Sequence, residues 1–168
     1  VPDPSDLLDV ARLLSTPGAQ ARSTDAELRR AVSSVYYAVF HEILRTAAKR
    51  FLGPDQEHAA AYGILYRSFD HRHMKVVCEA LRVPTLKDKC KRPSRRTAVG
   101  QYMLDFVEIF PSRQDARHRA DYDPSAKFLP SNVLVLINLG VSAIAAFDRA
   151  TLDEQTDVLA LMMVGVRD

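Results

Sequence analysis

The chain has 168 residues, 47% apolar and 26% charged, with 23 basic against 21 acidic side chains and a formal net charge of +2. That length and make-up suit one globular domain with a sizeable core, and they exclude a disordered or low-complexity chain. The near balance of charge also excludes a whole-molecule field that would draw in nucleic acid, so any basic surface has to be local.

Apolar residues recur at helical spacing along the chain and alternate at period two only in short runs, so the expected fold class is all-α. A first helix is expected over "PSDLLDVARLLS", with Ser5 as cap and Pro17 and Gly18 as its end. The second, "STDAELRRAVSSVYYAVFHEILRTAAKRFLG", carries the most signals. Ser23 or Thr24 would cap it, Asp25 and Glu27 sit in the first turn, Lys49 and Arg50 in the last, and Gly53 and Pro54 stop it. A third helix is expected over "DQEHAAAYGILYRSF" and a shorter fourth over "HRHMKVVCEALR". The segment "PTLKDKCKRPSRR" has two prolines and no periodicity and reads as an exposed loop. From Thr97 a helix runs to Pro111, where it either kinks or hands over to a new helix with proline in its tolerated first turn. After the loop "DYDPSAKFLPSN" come a strongly apolar helix from about Ser131 to Ala150 and an amphipathic one from about Asp153 to Val166.

The longest apolar stretch, "VLVLINLGVSAIAAF", falls short of the roughly 20 residues that cross a bilayer, so it reads as a buried helix and no membrane partner is expected. No charged-then-apolar leader opens the chain, which begins with Val rather than Met, as a processed or trimmed chain would. Cys78 and Cys90 lack a second pair to complete a zinc site, and a reducing cytoplasm is the expected setting. His71 and His73 fall about 200° apart on a helix, too far round for joint metal ligation, so neither metal nor cofactor is expected. Lys87, Lys89, Lys91, Arg92, Arg95 and Arg96 would form a solvated loop or touch phosphates, and these cations would depress the Cys90 thiol pKa. The closing "DVLALMMVGV" either completes the core or forms a dimer surface.

On a helical wheel, Val32, Val35, Tyr36, Val39, Ile43 and Ala47 share one broad side of the second helix, with Phe40 and Phe51 at its edge. Arg30, Ser34, Tyr37, His41 and Arg45 fall in a narrow arc opposite, either a solvated face or the lining of a cleft. In the helix from Thr97, Val99, Met103, Phe106 and Phe110 share a face. If the phase survives Pro111, that face continues through Arg113, Arg117 and Asp121, with Asp121 one turn beyond Arg117 as its ion-pair partner.

Two segments, "LRRAVSSVYYAVFHEIL" and "ARHRADYDP", together resemble the first-core-helix and last-core-helix signatures of HEPN domains, over roughly Leu28 to Ala150. The resemblance implies an up-and-down bundle of four to five core helices with extra terminal helices. It also implies a homodimer in which the last-helix motifs meet in a cleft, and a role with RNA or a nucleotide in a toxin–antitoxin or defense-type system. Active members are metal-independent endoribonucleases that carry Arg and, four to six residues on, His. Arginine holds the phosphate, and histidine moves the proton as the ribose 2′-hydroxyl attacks. Arg113 and His118 satisfy that spacing and would be the catalytic pair.

A second register puts Arg117 in the arginine place and Tyr122 where the histidine would stand. Tyrosine, with an ordinary pKa of about 10, is a poor base near neutrality. In that register the nuclease is disabled and Arg117, Asp121 and Tyr122 bind a ligand or hold structure, supported by Arg30, Ser34, Tyr37 and His41. The partner would then be a nucleotidyltransferase-type antitoxin or a larger defense protein.

Overall fold

In a computed structural model, residues 2–16, 22–56, 59–94 and 96–165 are described, with the backbone alone for 91–93. Among these, eight helices and no strand are present: α1 Pro4–Ser15, α2 Asp25–Leu52, α3 Ala60–Arg67, α4 His71–Leu81, α5 Asp88–Ser94, α6 Gln101–Tyr122, α7 Pro130–Arg149 and α8 Leu152–Val164. The chain is an all-α helical bundle, as its periodicity implies.

The first two helices begin where local chemistry tells them to. Asp3 rather than Ser5 caps α1, because the Asp3 carboxylate accepts the Ser5 N–H at 2.8 Å. At α2, Thr24 Oγ1 accepts the Glu27 N–H while the Glu27 carboxylate accepts the Thr24 N–H at 2.7 Å, a reciprocal capping box. The later boundaries depart from expectation. α3 is shorter than its sequence span; Glu57 and His58 in that span lie outside the described residues. The basic segment is not a loop, since Asp88–Ser94 forms the short α5 with Cys90 fully buried. Leu86 N–H bonds the Thr97 carbonyl at 2.8 Å across this excursion, and Arg96 Nε meets Asp157 at 2.6 Å. Burial pushes the Cys90 thiol pKa up, against the smaller opposite pull of Lys89, so the depressed value expected from its neighbors does not arise.

α6 starts at Gln101, not Thr97, because Gly100 N–H, at its N-cap, donates to the carboxylate of Glu154 on α8. Glu154 also closes the capping box of α8 with Thr151, so one carboxylate terminates two helices. Burial acts to raise its pKa, but the bonds from Gly100 and Thr151 prevail and hold it below the ordinary carboxylate value. α6 then runs unbroken through Pro111, which is buried and forgoes one ladder bond to the carbonyl four residues back.

α2 is the center of the bundle, packed by α1, α6 and α7, with α4 against α6. Two apolar clusters result. One joins α1, the first half of α2, Ala120 and the first half of α7; the other joins the rest of α2 with α3, α4, the first half of α6 and α8. α8 completes this core through Val158, Leu159, Leu161 and Met162. By length and composition α7 is long and apolar enough to cross a membrane, and a third of it is buried inside the bundle.

Gly140 leaves no room for a side chain against α2: a Cβ there would lie 2.6 Å from Val35 Cγ1. Gly140→Ala is therefore expected to lower stability by about 1–3 kcal/mol through overpacking. Gly63→Ala, whose Cβ meets nothing within 4 Å inside α3, should raise it by up to about 1 kcal/mol. Urea unfolding of the two variants checks the opposite signs.

Candidate functional site

No residue of α2 from Ala31 to Ala48 is exposed, and several polar side chains of this stretch take partners from α3, α4 and α6. Ser33 Oγ donates to the Asp121 carboxylate, and Tyr37 Oη accepts from Arg117 Nη2 at 2.9 Å. Tyr36 Oη bonds His71 Nδ1 at 2.6 Å, and His41 Nδ1 bonds Tyr66 Oη. Burial raises the Tyr36 and Tyr66 pKa values, so both remain neutral hydroxyls. Burial lowers the pKa of both histidines, with the Arg117 charge adding to the effect at His71. Each contact therefore joins a neutral phenol to a neutral imidazole, and the ring tautomer sets which of the two donates.

Arg117 is where α2 and α6 meet. Its Nε lies 2.7 Å from Asp121 Oδ2 one turn on, a charge contact whose N–H is not aligned as a hydrogen bond. Its guanidinium lies over two rings, 5.4 Å from the Tyr37 centroid and 5.5 Å from that of Tyr122. Burial works against its charge, but Tyr37 and Asp121 hold its pKa above the ordinary arginine value. The rings of His41 and His71 stand 6.1 and 6.5 Å from that of Tyr37, and His118 packs at a tilt against Tyr122 with centroids 5.0 Å apart. Tyr122 itself is 64% exposed. The result is a fixed cation flanked by two aromatic rings, Tyr37 half-buried and Tyr122 open to solvent.

The site residues expected from sequence divide into two groups. Tyr37, His41, Arg117, Asp121 and Tyr122 come together in this cluster, and α6 keeps its phase through Pro111 as the stripe requires. Ser34 is buried and Arg30 is solvent-exposed, and neither makes the contacts above. Arg113 and His118 are not brought together. Five residues apart on one helix, they point about 140° away from each other, Arg113 into the bundle at 7% exposure and His118 into solvent. Arg113 Nη2 donates weakly to Ser112 Oγ at 3.3 Å, its Nε and Nη1 have no hydrogen-bond partner among the described residues, and burial lowers its pKa.

Sequence reasoning missed Ser33, Tyr66 and His71. Ser33 lies beside Ser34 in the quoted motif, one position off the expected arc. His71 had one local signal: Asp70 caps α4 by accepting the Arg72 and His73 N–H groups, which places His71 at the first helical position, turned toward α2.

Comparison of the chain with protein-family models, with curated proteins and with solved structures finds no match in any of the three. The HEPN resemblance therefore rests on the two segments quoted for it.

Asp121→Ala removes both the counter-ion of Arg117 and the acceptor of Ser33 and is expected to cost about 1–2 kcal/mol. Asp115→Ala, on the same helix as Asp121, breaks a contact with Lys75 of α4 near the surface and should stay within about 0.5 kcal/mol; chemical denaturation of both separates the two. His41 and His71 have folded pKa values below the unfolded value of about 6.5, so in the window beneath it the unfolded chain binds more protons. Stability should thus be full above that value and fall as pH drops through the window, and the double variant His41→Gln/His71→Gln should flatten the slope in urea titrations.

Proposed function

We propose that the chain is a HEPN-type helical module of a toxin–antitoxin or defense-type system that binds RNA or a nucleotide at the Arg117 cluster and does not cleave it. The observation that carries this reading is the pairing of an anchored guanidinium with an exposed ring. Tyr122, with His118 beside it, offers a stacking surface for a base, and base–aromatic stacking tolerates any sequence. Arg117 keeps Nη1 outside the contacts that anchor it, and Tyr37, having accepted from Arg117, retains its own hydroxyl proton for a phosphate oxygen. Tyr122 in place of a histidine supplies no base near neutrality. The further partners this reading carries are a second copy of the chain and a nucleotidyltransferase-type antitoxin or larger defense protein.

One observation favors the alternative, a metal-independent endoribonuclease using Arg113 and His118. Two guanidinium nitrogens of Arg113 have no hydrogen-bond partner among the described residues, as a phosphate-holding group needs. Cleavage would then run through 2′-hydroxyl attack to a 2′,3′-cyclic phosphate, with α6 rearranged so that one scissile phosphate reaches both side chains.

Labeled single-stranded RNA and free nucleotides, titrated in excess EDTA and followed by anisotropy and by gel, decide between the two. The expected outcome is binding with intact RNA, weakened about tenfold or more in Arg117→Ala and in Tyr122→Ala, in line with about 1–3 kcal/mol per stacked base. Cleavage in EDTA that disappears in both Arg113→Ala and His118→Ala would replace this reading with the alternative, and neither binding nor cleavage would sink both.

A further inference from the structure

Arg29 and Arg30 are neighbors near the start of α2, and the bundle uses them differently. Arg30 is exposed, whereas Arg29 turns inward with its side chain 18% exposed. Its Nε donates to the Asp25 carboxylate one turn back at 2.7 Å. The two terminal nitrogens reach 91 to 97 residues along the chain, to the end of α6 and the turn after it. Nη1 donates to the Ala120 carbonyl at 3.0 Å and to the Asp123 carbonyl at 2.9 Å, and Nη2 donates to the Ala126 carbonyl at 2.5 Å. These four hydrogen bonds use most of the donors a guanidinium has.

A helix end leaves its last carbonyls unpaired, and Arg29 takes one of them together with two from the turn that follows. α6 stops at Tyr122 with Asp123 as its C-cap. The last turn of a helix ordinarily frays, and a cation there steadies it by charge as well as by hydrogen bonds. Ala120 and Asp123 straddle Asp121 and Tyr122, so one nitrogen holds the backbone on both sides of the two residues whose side chains flank Arg117. Ala126, 3% exposed, fixes the turn beyond. Tyr122 is 64% exposed and has little packing of its own, so the backbone decides where its ring stands.

We propose that Arg29 is the positioning residue of the Arg117 cluster, clamping the end of α6 so that the Tyr122 ring is set as a stacking platform before a ligand arrives. It acts through the backbone, since its hydrogen bonds among the described residues go to three carbonyls and Asp25 and to no side chain of the cluster. Fixing the platform in advance removes an ordering cost from binding. The assignment rests on the reading of the cluster as a site for single-stranded RNA or a nucleotide. It gives the two adjacent arginines separate roles, with Arg29 rather than the exposed Arg30 tied to the site.

In the ligand-free chain, the Asp123 and Ala126 amides, bonded to Arg119 and Asp123 carbonyls, should exchange about tenfold faster or more in Arg29→Ala by NMR, with far-UV circular dichroism as the fold control. Labeled single-stranded RNA, titrated in excess EDTA, should bind Arg29→Ala about tenfold or more weakly, as it does Tyr122→Ala. Because Arg29 acts through Tyr122, the double variant Arg29→Ala/Tyr122→Ala should lose no more than Tyr122→Ala alone. Gly140→Ala, which weakens the bundle elsewhere, should keep wild-type affinity. If Arg29→Ala loses the helical signal, Arg29→Lys, which keeps the charge but cannot fork across three carbonyls, is read in its place. The proposal is overturned by unchanged exchange, by wild-type affinity in the folded Arg29 variant, by losses that multiply in the double variant, or by an equal loss in Gly140→Ala. A wild type that binds no RNA would remove the function proposed for the cluster, and the exchange result would still decide the clamp.

Discussion

Between Val35 on α2 and Gly140 on α7 there is no space for one further carbon, and the bundle is arranged around that contact. Two helices approach this closely only where one presents bare backbone, and α2 prepares for it with small residues: Ala31, Ser33, Ser34, Ala38, Ala47 and Ala48 are all buried along its length. Close approach lets α1, α6 and α7 share one central helix. It also leaves α2 no dry face and wet face of the usual kind, and that loss of asymmetry governs the chemistry of the rest.

Every polar group that α2 brings into this setting has to find a partner within the protein. Tyr36, Tyr37 and His41 find theirs on α4, α6 and α3 respectively, and Ser33 finds the acid that also neutralizes Arg117. The site is thus a by-product of satisfying a buried helix as much as a purpose-built cleft. Its rings and guanidinium hold one another in place before any ligand arrives, and that pre-organization lowers the ordering cost of binding. Arg113 on α6 is buried with two guanidinium nitrogens that have no hydrogen-bond partner among the described residues, and burial lowers its pKa.

How far the sequence reveals these features follows from the range of the interactions involved. α1 and α2 were legible because caps, acidic first turns and basic last turns act within a few residues. The all-α class was legible because periodicity is a property of every helix separately. The polar arc of α2 splits in the structure, Tyr37 and His41 joining the Arg117 cluster while Ser34 is buried and Arg30 exposed, because a wheel shows which residues share a side but not what packs there. Arg117 and Asp121 could be paired from spacing alone, whereas Tyr66 and His71 reach His41 and Tyr36 from 25 and 35 residues away. α5 escaped notice because its anchor, Cys90, is one small apolar residue among cations, and burial outweighed their charge.

Glu154 shows what such distance means for a chain being made. Gln101 and its neighbors contain no cap, so the start of α6 is decided by a carboxylate 54 residues further on. While synthesis proceeds, the first turn of α6 has no defined beginning, and it acquires one only when Thr151 and Glu154 have emerged and α8 can dock. The boundary between loop and helix at Gly100 is therefore a late event in the life of the molecule, fixed from its far end.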